Sequence, residues 1–256
     1  FNKVQVAWFG NKSAMEAVKR SSGEIFAQTV DVSGNPGYWS LILVNKNSPF
    51  QKLDDILKCD QSLNFGIGDP NSTSGFLVPT SYIFSARNID YKKCFKTVRT
   101  AKHEANLMAV ANNLVDAATN NTESLRRLQK TAPEAAAKIR VIWKSPLIPS
   151  DPLVWRKDLD KDIQAKLYTW IMSYGRIGTP QEVAAARQVL NGLDWAPFRP
   201  SSNAQLYPIF ILEANKTINK IKGIAKLSQA EKKVRIAKQE ALIAKYTKLS
   251  QDVPSM

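Results

Sequence analysis

The stretch LNFGIGDPNSTSG, residues 63–75, joins a short apolar run to a glycine-bounded turn rich in hydroxyl side chains. The run LNFGI predicts a β-strand, and the residues after the turn predict an apolar helix that reaches Tyr82–Ala86. Further strands are predicted at Thr97–Val98, Ala117–Thr119 and Ile139–Lys144, with helices at Ala105–Asn112 and Glu123–Lys130. Strands that alternate with helices in this way predict βαβ units and parallel sheets, and therefore an α/β protein.

The length and composition limit the number of domains and the class of protein to which the chain can belong. Its 256 residues are 44% hydrophobic and carry a formal net charge of +14, so one or two globular domains are expected. No apolar run approaches the length of about 20 residues that a membrane-spanning helix needs. The positive charge is explained most simply by a solvated basic surface. A nucleic-acid partner is not expected, because the lysines are scattered rather than clustered with stacking aromatic residues.

The first ten residues, FNKVQVAWFG, contain a strand signal at Val4, Val6 and Trp8–Phe9 with no preceding element to pack against it. We therefore expect that an N-terminal piece, including any export signal, is absent from this chain. The sequence YWSLILV at Tyr38–Val44 predicts one long apolar strand.

The region from about Leu206 to Lys248 is rich in lysine and nearly free of glycine and proline, which predicts helices. A narrow apolar stripe at spacings of three and four is predicted to pack against another helix. Packing within its own domain is the favoured interpretation, and a dimer contact is the alternative. The stripe consists of Leu227, Ala230, Val234, Ala237, Ala241 and Ala244.

Three successive hydroxyl residues, Ser72, Thr73 and Ser74, lie between a predicted strand and a predicted helix. They would occupy the first turn of that helix, where unpaired N–H groups and the positive end of the helix dipole favour an anion. A simple helix cap is the alternative, but three hydroxyls in a row favour an oxyanion site. The motif matches neither a phosphate-binding P-loop nor a dinucleotide fingerprint.

Three titratable residues are predicted to follow strands of the same sheets. His103 is the chain's one histidine and lies between a predicted strand and helix, which makes it a ligand contact or an ordinary hydrogen-bonding residue. Glu123 and Asp151 are helix-start or turn acids, or else a carboxylate pair that clamps an ammonium group. Cys59 and Cys94 fit no metal motif, and sequence alone leaves open whether they pair. No metal site and no cofactor are predicted.

From Phe1 to about Tyr207 the chain resembles the phosphonate-binding periplasmic proteins, the ligand-capturing components of phosphonate ABC transporters. The matching stretches are VAWFGNKSAMEA (Val6–Ala17), PGYWS (Pro36–Ser40), GDPNSTSGFLVP (Gly68–Pro79), His103-Glu104, ATNNTE (Ala118–Glu123), IWKSPLIP (Ile142–Pro149), Asp151-Pro152 and LDWAPF (Leu193–Phe198).

The resemblance implies a type II periplasmic-binding-protein fold, in which two α/β lobes are joined by two crossover strands. One lobe would comprise residues 1–40, with its first elements missing, together with the return segment 150–205. The other would comprise residues 41–149, followed by C-terminal helices at 206–256 that associate into dimers in the family. Lobe topology would also place Cys59 and Cys94 before neighbouring strands at one end of a sheet, which is compatible with a disulfide.

The resemblance further implies a ligand site. The phosphonate oxygens would be held by Tyr38, Ser72, Thr73, Ser74 and His103. The amino group of 2-aminoethylphosphonate would be held by Glu123 and Asp151. A ligand-contacting tyrosine of the family has no counterpart in this chain.

By resemblance, the protein captures its ligand in the periplasm as the lobes close and delivers it to a membrane permease, without catalysis. Three alternatives remain at this point. They are a binding protein for phosphite, phosphate or another small oxyanion, an enzyme using His103 with Glu123 or Asp151, and a nucleic-acid binder.

Overall fold

The computed structural model of the chain describes residues 3–252, which form two compact units. Unit 1 comprises the described residues of Phe1–Gly37, Pro149–Ile211 and Ala244–Met256, and unit 2 comprises Tyr38–Ile148 and Leu212–Ile243. The ends of the predicted ranges 1–40 and 206–256, namely residues 1–2 and 253–256, lie outside the described residues.

The secondary structure alternates strands with helices over most of the chain. The strands are β1 (Val6–Trp8), β2 (Gly23–Asp31), β3 (Gly37–Tyr38), β4 (Ser40–Asn45), β5 (Asn64–Ile67), β6 (Thr97–Thr100), β7 (Ala117–Asn121), β8 (Ile139–Lys144), β9 (Ile148–Pro149), β10 (Pro152–Arg156) and β11 (Trp195–Pro200). The α-helices are α1 (Asn11–Arg20), α2 (Tyr91–Cys94), α3 (His103–Ala111), α4 (Thr122–Thr131), α5 (Pro133–Ala136), α6 (Lys161–Ser173), α7 (Pro180–Gly192), α8 (Tyr207–Lys222) and α9 (Gln229–Gln251). Short 3₁₀ turns occur at Leu53–Ile56, Ser85–Arg87 and Asn203–Leu206, and π-helical turns occur at Thr73–Leu77 and Thr80–Phe84.

Unit 1 is built on a four-stranded sheet in the order β1-β10-β2-β11, in which each neighbouring pair is antiparallel. Its core contains Phe26 stacked on Trp155, with ring centroids 4.0 Å apart. The indole N–H of Trp155 donates to the Glu24 carboxylate at 3.0 Å, so the polar end of this buried ring is paired.

Unit 2 is built on a five-stranded sheet in the order β6-β5-β7-β4-β8. Strands β6, β5 and β7 are parallel neighbours, and β4 runs antiparallel to β7 and β8. All six residues of β4 are buried because side chains of this central strand pack on both faces. Ile42 and Val44 belong to one hydrophobic cluster, and Leu41 and Leu43 belong to another.

The prediction of parallel sheets is correct only in part. In each unit, the strand that follows a crossover lies between two parallel strands and runs antiparallel to both. In unit 1 this strand is β10, between β1 and β2. In unit 2 it is β4, between β7 and β8. A strand–helix–strand pattern predicts the direction of consecutive strands, but it carries no information on a strand that arrives from elsewhere in the chain.

The predicted strand Tyr38–Val44 is wrong as one continuous element, because the structure divides it at Trp39. Tyr38 belongs to β3, which pairs with β9 in a two-stranded sheet, and β4 begins at Ser40. Next to Trp39 the facing chain has already begun α4. The Trp39 N–H therefore donates to the Thr122 side chain at 3.2 Å, while the Trp39 carbonyl accepts from the Thr122 N–H at 3.1 Å.

A disulfide joins Cys59 to Cys94, which answers the question that the sequence left open. Cys59 precedes β5, and Cys94 ends α2 just before β6. Because β5 and β6 are parallel neighbours, the disulfide lies at the amino ends of these strands.

The apolar stripe predicted for the C-terminal helix is wrong as a packed face. The residues from Ala230 to Ala244 in that stripe are exposed, and the half-buried positions of α9 follow a different line. That line carries larger apolar side chains, which remove more surface from water than alanine does. It consists of Lys232, Ile236, Gln239, Ile243, Tyr246 and Leu249. Tyr246 stacks on Phe210 of α8, with ring centroids 4.3 Å apart.

Candidate functional site

Three neighbouring parallel strands of unit 2 end at the same edge of the sheet, and each leads into the start of a helix. After β5, Ser72 caps a helical segment that begins with Thr73–Leu77 and continues to Arg87. After β6, α3 begins at His103, and after β7, Asn121 caps α4. Helix starts present unpaired N–H groups and a positive dipole end, so this edge of the sheet is suited to binding an anion.

The loop between β5 and Ser72 is closed by two glycines. The Gly68 N–H donates to the Gly75 carbonyl at 2.9 Å and to the Thr119 hydroxyl at 3.0 Å. A Cβ atom on Gly68 would lie 2.6 Å from the Cα of Gly75, so only glycine fits this approach. Closure of the loop brings residues 72–74 back against the end of β7.

The predicted hydroxyl residues are held in place by polar contacts. The Ser72 hydroxyl accepts from the Gly75 N–H at 2.9 Å. Thr73 and Ser74 are buried, and the Ser74 carbonyl accepts from the Ser40 hydroxyl at 2.6 Å. The Ser74 hydroxyl lies 3.1 Å from the side-chain amide nitrogen of Asn121. The hydroxyl-rich turn is therefore a fixed part of the sheet edge.

The same Asn121 amide contacts His103, so the structure brings Ser74 and His103 together. Asn121 Nδ2 lies 3.3 Å from His103 Nε2. The Asn120 side chain donates to the His103 carbonyl at 2.8 Å. His103 is the first residue of α3, whereas the sequence predicted a helix start at Ala105, because the Lys102 carbonyl already accepts the first intrahelical bond, from the Asn106 N–H.

The His103 ring is neutral near pH 7. Burial lowers its pKa from the ordinary value of 6.5, and the positive charge of Arg127 lowers the pKa further. Its Nδ1 atom is buried and has no hydrogen-bond partner in the described structure. The Nε2 partner is an amide and not the carboxylate of Glu123 or Asp151 that the enzyme alternative required. A buried polar atom without a partner is unusual and calls for an explanation.

The pairing register of β4 and β7 places Tyr38 and Glu123 near the edge of the sheet where the helices start. Ser40 pairs with Asn121, so the residues just before β4 lie beside the start of α4. Tyr38 is buried and packs against Val78 and Ile148. Glu123 is half-buried in the first turn of α4, where the helix dipole favours a carboxylate.

Asp151 lies on unit 1, whereas the other predicted ligand residues lie on unit 2. Its carbonyl accepts from the N–H of Thr29 at 2.9 Å and from the Thr29 hydroxyl at 3.2 Å. Its carboxylate accepts from the side-chain nitrogen of the buried Asn11 at 3.5 Å, and the side-chain oxygen of Asn11 accepts from the Gln205 amide at 2.8 Å. The backbone at Asp151 is thus held firmly within unit 1.

An open cavity of about 430 Å³ lies at the helix starts of unit 2. Its lining combines helix-start backbone with polar side chains of both charges, with Arg127 3.9 Å from Glu104. The lining residues are Gly68, Asp69, Ser72, Ala101, Lys102, His103, Glu104, Ser124 and Arg127.

Sequence reasoning assigned no role to Asn121, to Thr119 or to Ser40, which together connect the hydroxyl turn, His103 and β7. The available signal was the pair Asn120-Asn121 directly after an apolar strand, because two buried amides at a strand end need partners.

Among residues 3–252, no group of three or more His, Cys, Asp or Glu side chains could hold a metal ion. Within the same range, every helix is too short or too polar to cross a membrane.

The chain has two α/β units linked by crossover segments, and in unit 2 several helices start at one edge of the sheet. This architecture defines the class of type II periplasmic binding proteins. The model of the family described as "ABC transporter, phosphonate, periplasmic substrate-binding protein" matches residues 1–206. The chain is also 48% identical over 256 residues to the phosphonates-binding periplasmic protein of Escherichia coli, covering 100% of this chain and 74% of that protein. The chain belongs to this family.

Solved structures agree with the assignment. A binding protein component of an ABC phosphonate transporter from Pseudomonas aeruginosa superposes with a TM-score of 0.90 at 47% identity, covering 98% of this chain and 82% of that one. PhnD1 of Prochlorococcus marinus, solved in complex with methylphosphonate, gives a TM-score of 0.68 at 22% identity, covering 83% and 79%. The second match supports the fold alone.

Family membership confirms the predicted class of function. The protein is the periplasmic phosphonate-binding component of an ABC transporter, and its relatives are substrate-binding proteins and not enzymes. A phosphonate ligand and the membrane components of the transporter are its implied partners. The absence of a nucleic-acid partner stays a prediction.

Proposed function

We propose that the preferred ligand is 2-aminoethylphosphonate, a zwitterion with a phosphonate at one end and an ammonium group at the other. The observation that carries the proposal is the position of Glu123 in the first turn of α4, one residue after Thr122 and two after Asn121. A carboxylate beside an anion-binding edge repels the anion unless the ligand also brings a cation. A ligand of both charges fits this arrangement.

The proposed phosphonate contacts are the hydroxyls of Ser72, Thr73 and Ser74, the His103 ring and the Tyr38 phenol. These groups are neutral donors, and the two helix starts that carry the hydroxyls and His103 add the positive ends of their dipoles. Hydrogen bonds from neutral donors to a charged acceptor contribute about 1.5–3 kcal/mol each, so a small set supports tight binding without a lysine in contact.

The proposed ammonium acceptors are Glu123 and Asp151. A carboxylate that loses water without gaining a cation costs a few kcal/mol, so ligands without an amine should bind about a hundredfold more weakly. Phosphite is the specific alternative, because a relative from Prochlorococcus marinus is named a probable ABC transporter phosphite binding protein. That relative is 27% identical over 146 residues, covering 56% of this chain and 48% of that protein.

Calorimetric titration of the purified protein with 2-aminoethylphosphonate, methylphosphonate, phosphate and phosphite tests the proposal. Micromolar or tighter binding of the first ligand, about −8 kcal/mol or better, with far weaker binding of the others is expected. Equal affinity for 2-aminoethylphosphonate and methylphosphonate would refute amine recognition, and preference for phosphite would establish the alternative.

Two substitutions separate the proposed roles. Glu123→Gln keeps the size of the side chain and removes its charge, so it should weaken 2-aminoethylphosphonate by about ten- to a hundredfold. Methylphosphonate should bind as well as before or more tightly, because the repulsion from the carboxylate is lost. Thr73→Ala removes one of the hydroxyls that are proposed to hold the phosphonate, and it should weaken both ligands alike. If Glu123→Gln weakens both ligands equally, the ammonium contact is wrongly assigned.

A homodimer through the C-terminal helices stays a prediction. The surface available to it on α9 includes Val234, which is 59% exposed, and the exposed alanines on the same helix. Sedimentation of the purified protein would give its mass in solution.

A further inference from the structure

The side-chain amide of Asn121 occupies the end of β7 and makes three contacts there. Its Oδ1 atom accepts from the Ser124 N–H at 2.7 Å. Its Nδ2 atom lies 3.1 Å from the Ser74 hydroxyl and 3.3 Å from His103 Nε2. The residue is 6% exposed, so water does not compete for these contacts.

The orientation of this amide is fixed by chemistry. A backbone N–H can only donate, so the atom facing Ser124 must be the amide oxygen. The amide nitrogen then faces Ser74 and His103, and its two hydrogens serve one acceptor each. Both neighbours of Nδ2 must therefore present a lone pair to it.

This requirement determines the tautomer of His103. A neutral imidazole has one protonated and one unprotonated nitrogen, and the hydrogen bond at one nitrogen decides which is which. Because Nε2 accepts from Asn121, the proton resides on Nδ1. Nδ1 is the buried atom without a partner, so the Nδ1–H group of His103 is a donor that makes no hydrogen bond in the described structure.

The same requirement orients Ser74. Its hydroxyl oxygen accepts from Asn121, so its own hydrogen is free to point elsewhere. The positive charge of Arg127 disfavours a second proton on His103, and the negative charge of its ion-pair partner Glu104 is mostly exposed to solvent. Ser74 and His103 are thereby both prepared as donors.

We propose that Asn121 is a positioning residue, which sets the His103 tautomer and the Ser74 hydroxyl so that both donate to the phosphonate. The ligand side of this inference rests on the proposed phosphonate contacts, whereas the tautomer does not depend on any ligand. The two parts can therefore fail separately.

The tautomer is measured by ¹⁵N chemical shifts of the imidazole ring. The chain contains one histidine, so the spectrum of the labelled protein needs no assignment. At neutral pH without ligand, we expect a protonated Nδ1 and an unprotonated Nε2. A spectrum with the proton on Nε2 would overturn the proposal.

Two variants test the role of Asn121. In Asn121→Asp one oxygen keeps the bond to Ser124, while the other accepts only, so Nε2 should become protonated. Asn121→Ser keeps a helix-capping hydroxyl but cannot reach both partners. It should weaken methylphosphonate and 2-aminoethylphosphonate by about ten- to a hundredfold, the worth of about one hydrogen bond to a charged group. Wild-type affinity in Asn121→Ser would refute positioning.

Asn45 provides a matched control, because it is also a buried amide of unit 2. It is 4% exposed, donates to the carbonyls of Val110 and Ala111 at 3.1 Å each, and accepts from the Asn47 N–H at 3.0 Å. Asn45→Asp and Asn45→Ser should lower stability while leaving the His103 spectrum and the phosphonate affinity unchanged. If the Asn45 variants shift the His103 tautomer as the Asn121 variants do, the effect is general destabilisation and the proposal fails.

If Asn121→Asp does not fold, the wild-type spectrum and Asn121→Ser still decide the matter. If the tautomer is as expected but no phosphonate binds, the ligand assignment fails while the tautomer stands.

Discussion

Replacement of Gly68 by alanine should open the loop that carries Ser72, Thr73 and Ser74, the proposed phosphonate cradle. The new Cβ atom would lie 2.6 Å from the Cα of Gly75 and 2.7 Å from its carbonyl carbon and oxygen. Carbon atoms pack best at about 3.5–4.0 Å, so the two backbone segments must separate by about 1 Å. These are backbone atoms of a buried residue and have no alternative rotamer to adopt.

The cost has two sources. Overpacking of a well-packed interior costs about 1–3 kcal/mol. Separation also weakens the two bonds from the Gly68 N–H, to Gly75 and Thr119, at about 1 kcal/mol each. We expect a local loss of about 2–4 kcal/mol, together with a fall in affinity of tenfold or more for every phosphonate, since residues 72–74 move with the loop.

Hydrogen exchange of the segment from Asn64 to Leu77 reports the local loss, and calorimetry reports the affinity. Gly192→Ala is the matched control because a Cβ there meets no atom within 4 Å. The control should leave both quantities unchanged or slightly raise stability, since alanine favours a helix. Wild-type phosphonate affinity in Gly68→Ala would refute the argument that loop closure positions the cradle.

Two further predictions concern the pH dependence of the free energy of unfolding and the contribution of the disulfide. Because burial and Arg127 lower the pKa of His103, the unfolded chain binds its proton at a higher pH than the folded chain. The free energy of unfolding should therefore fall as the pH drops below about 6.5, by at most about 1.4 kcal/mol per pH unit, until the folded-state pKa is passed. Urea unfolding at several pH values should show a weaker slope in His103→Gln, and equal slopes would contradict the neutral ring. Removal of the disulfide in Cys59→Ala/Cys94→Ala, whose cysteines are 35 residues apart, should lower stability by about 4 kcal/mol. Phosphonate affinity should change little because the disulfide lies at the opposite ends of the strands, so a large loss of affinity would show that the edge depends on it.

Local patterns predicted much of unit 2 correctly. The alternation of apolar runs with capped helices was enough to predict β5, β8 and α4, because each element carries its own signals of burial and termination. The hydroxyl run Ser72–Ser74 was predicted as a helix start for the same reason, and its cap is present. These features depend on residues close together in the chain.

The features that sequence reasoning missed depend on residues far apart in the chain. The insertion of β4 and β10 between parallel strands depends on crossovers, and the break at Trp39 depends on where α4 begins on the facing strand. Asn121 has a role only because β7 ends beside the helix starts that follow β5 and β6. No local pattern carries that information.

In the proposed site, the groups that bind the phosphonate differ in charge from the group that selects among phosphonates. Every phosphonate presents the same oxyanion, so the neutral donors on the two helix starts cannot separate one phosphonate from another. Selectivity must then come from a group that responds to the rest of the ligand, and Glu123 is the carboxylate that unit 2 places in the first turn of α4. In the proposed site this carboxylate weakens the binding of an anion that brings no cation and favours a ligand that carries an amine. For that reason Glu123→Gln is the most informative single substitution for the identity of the ligand.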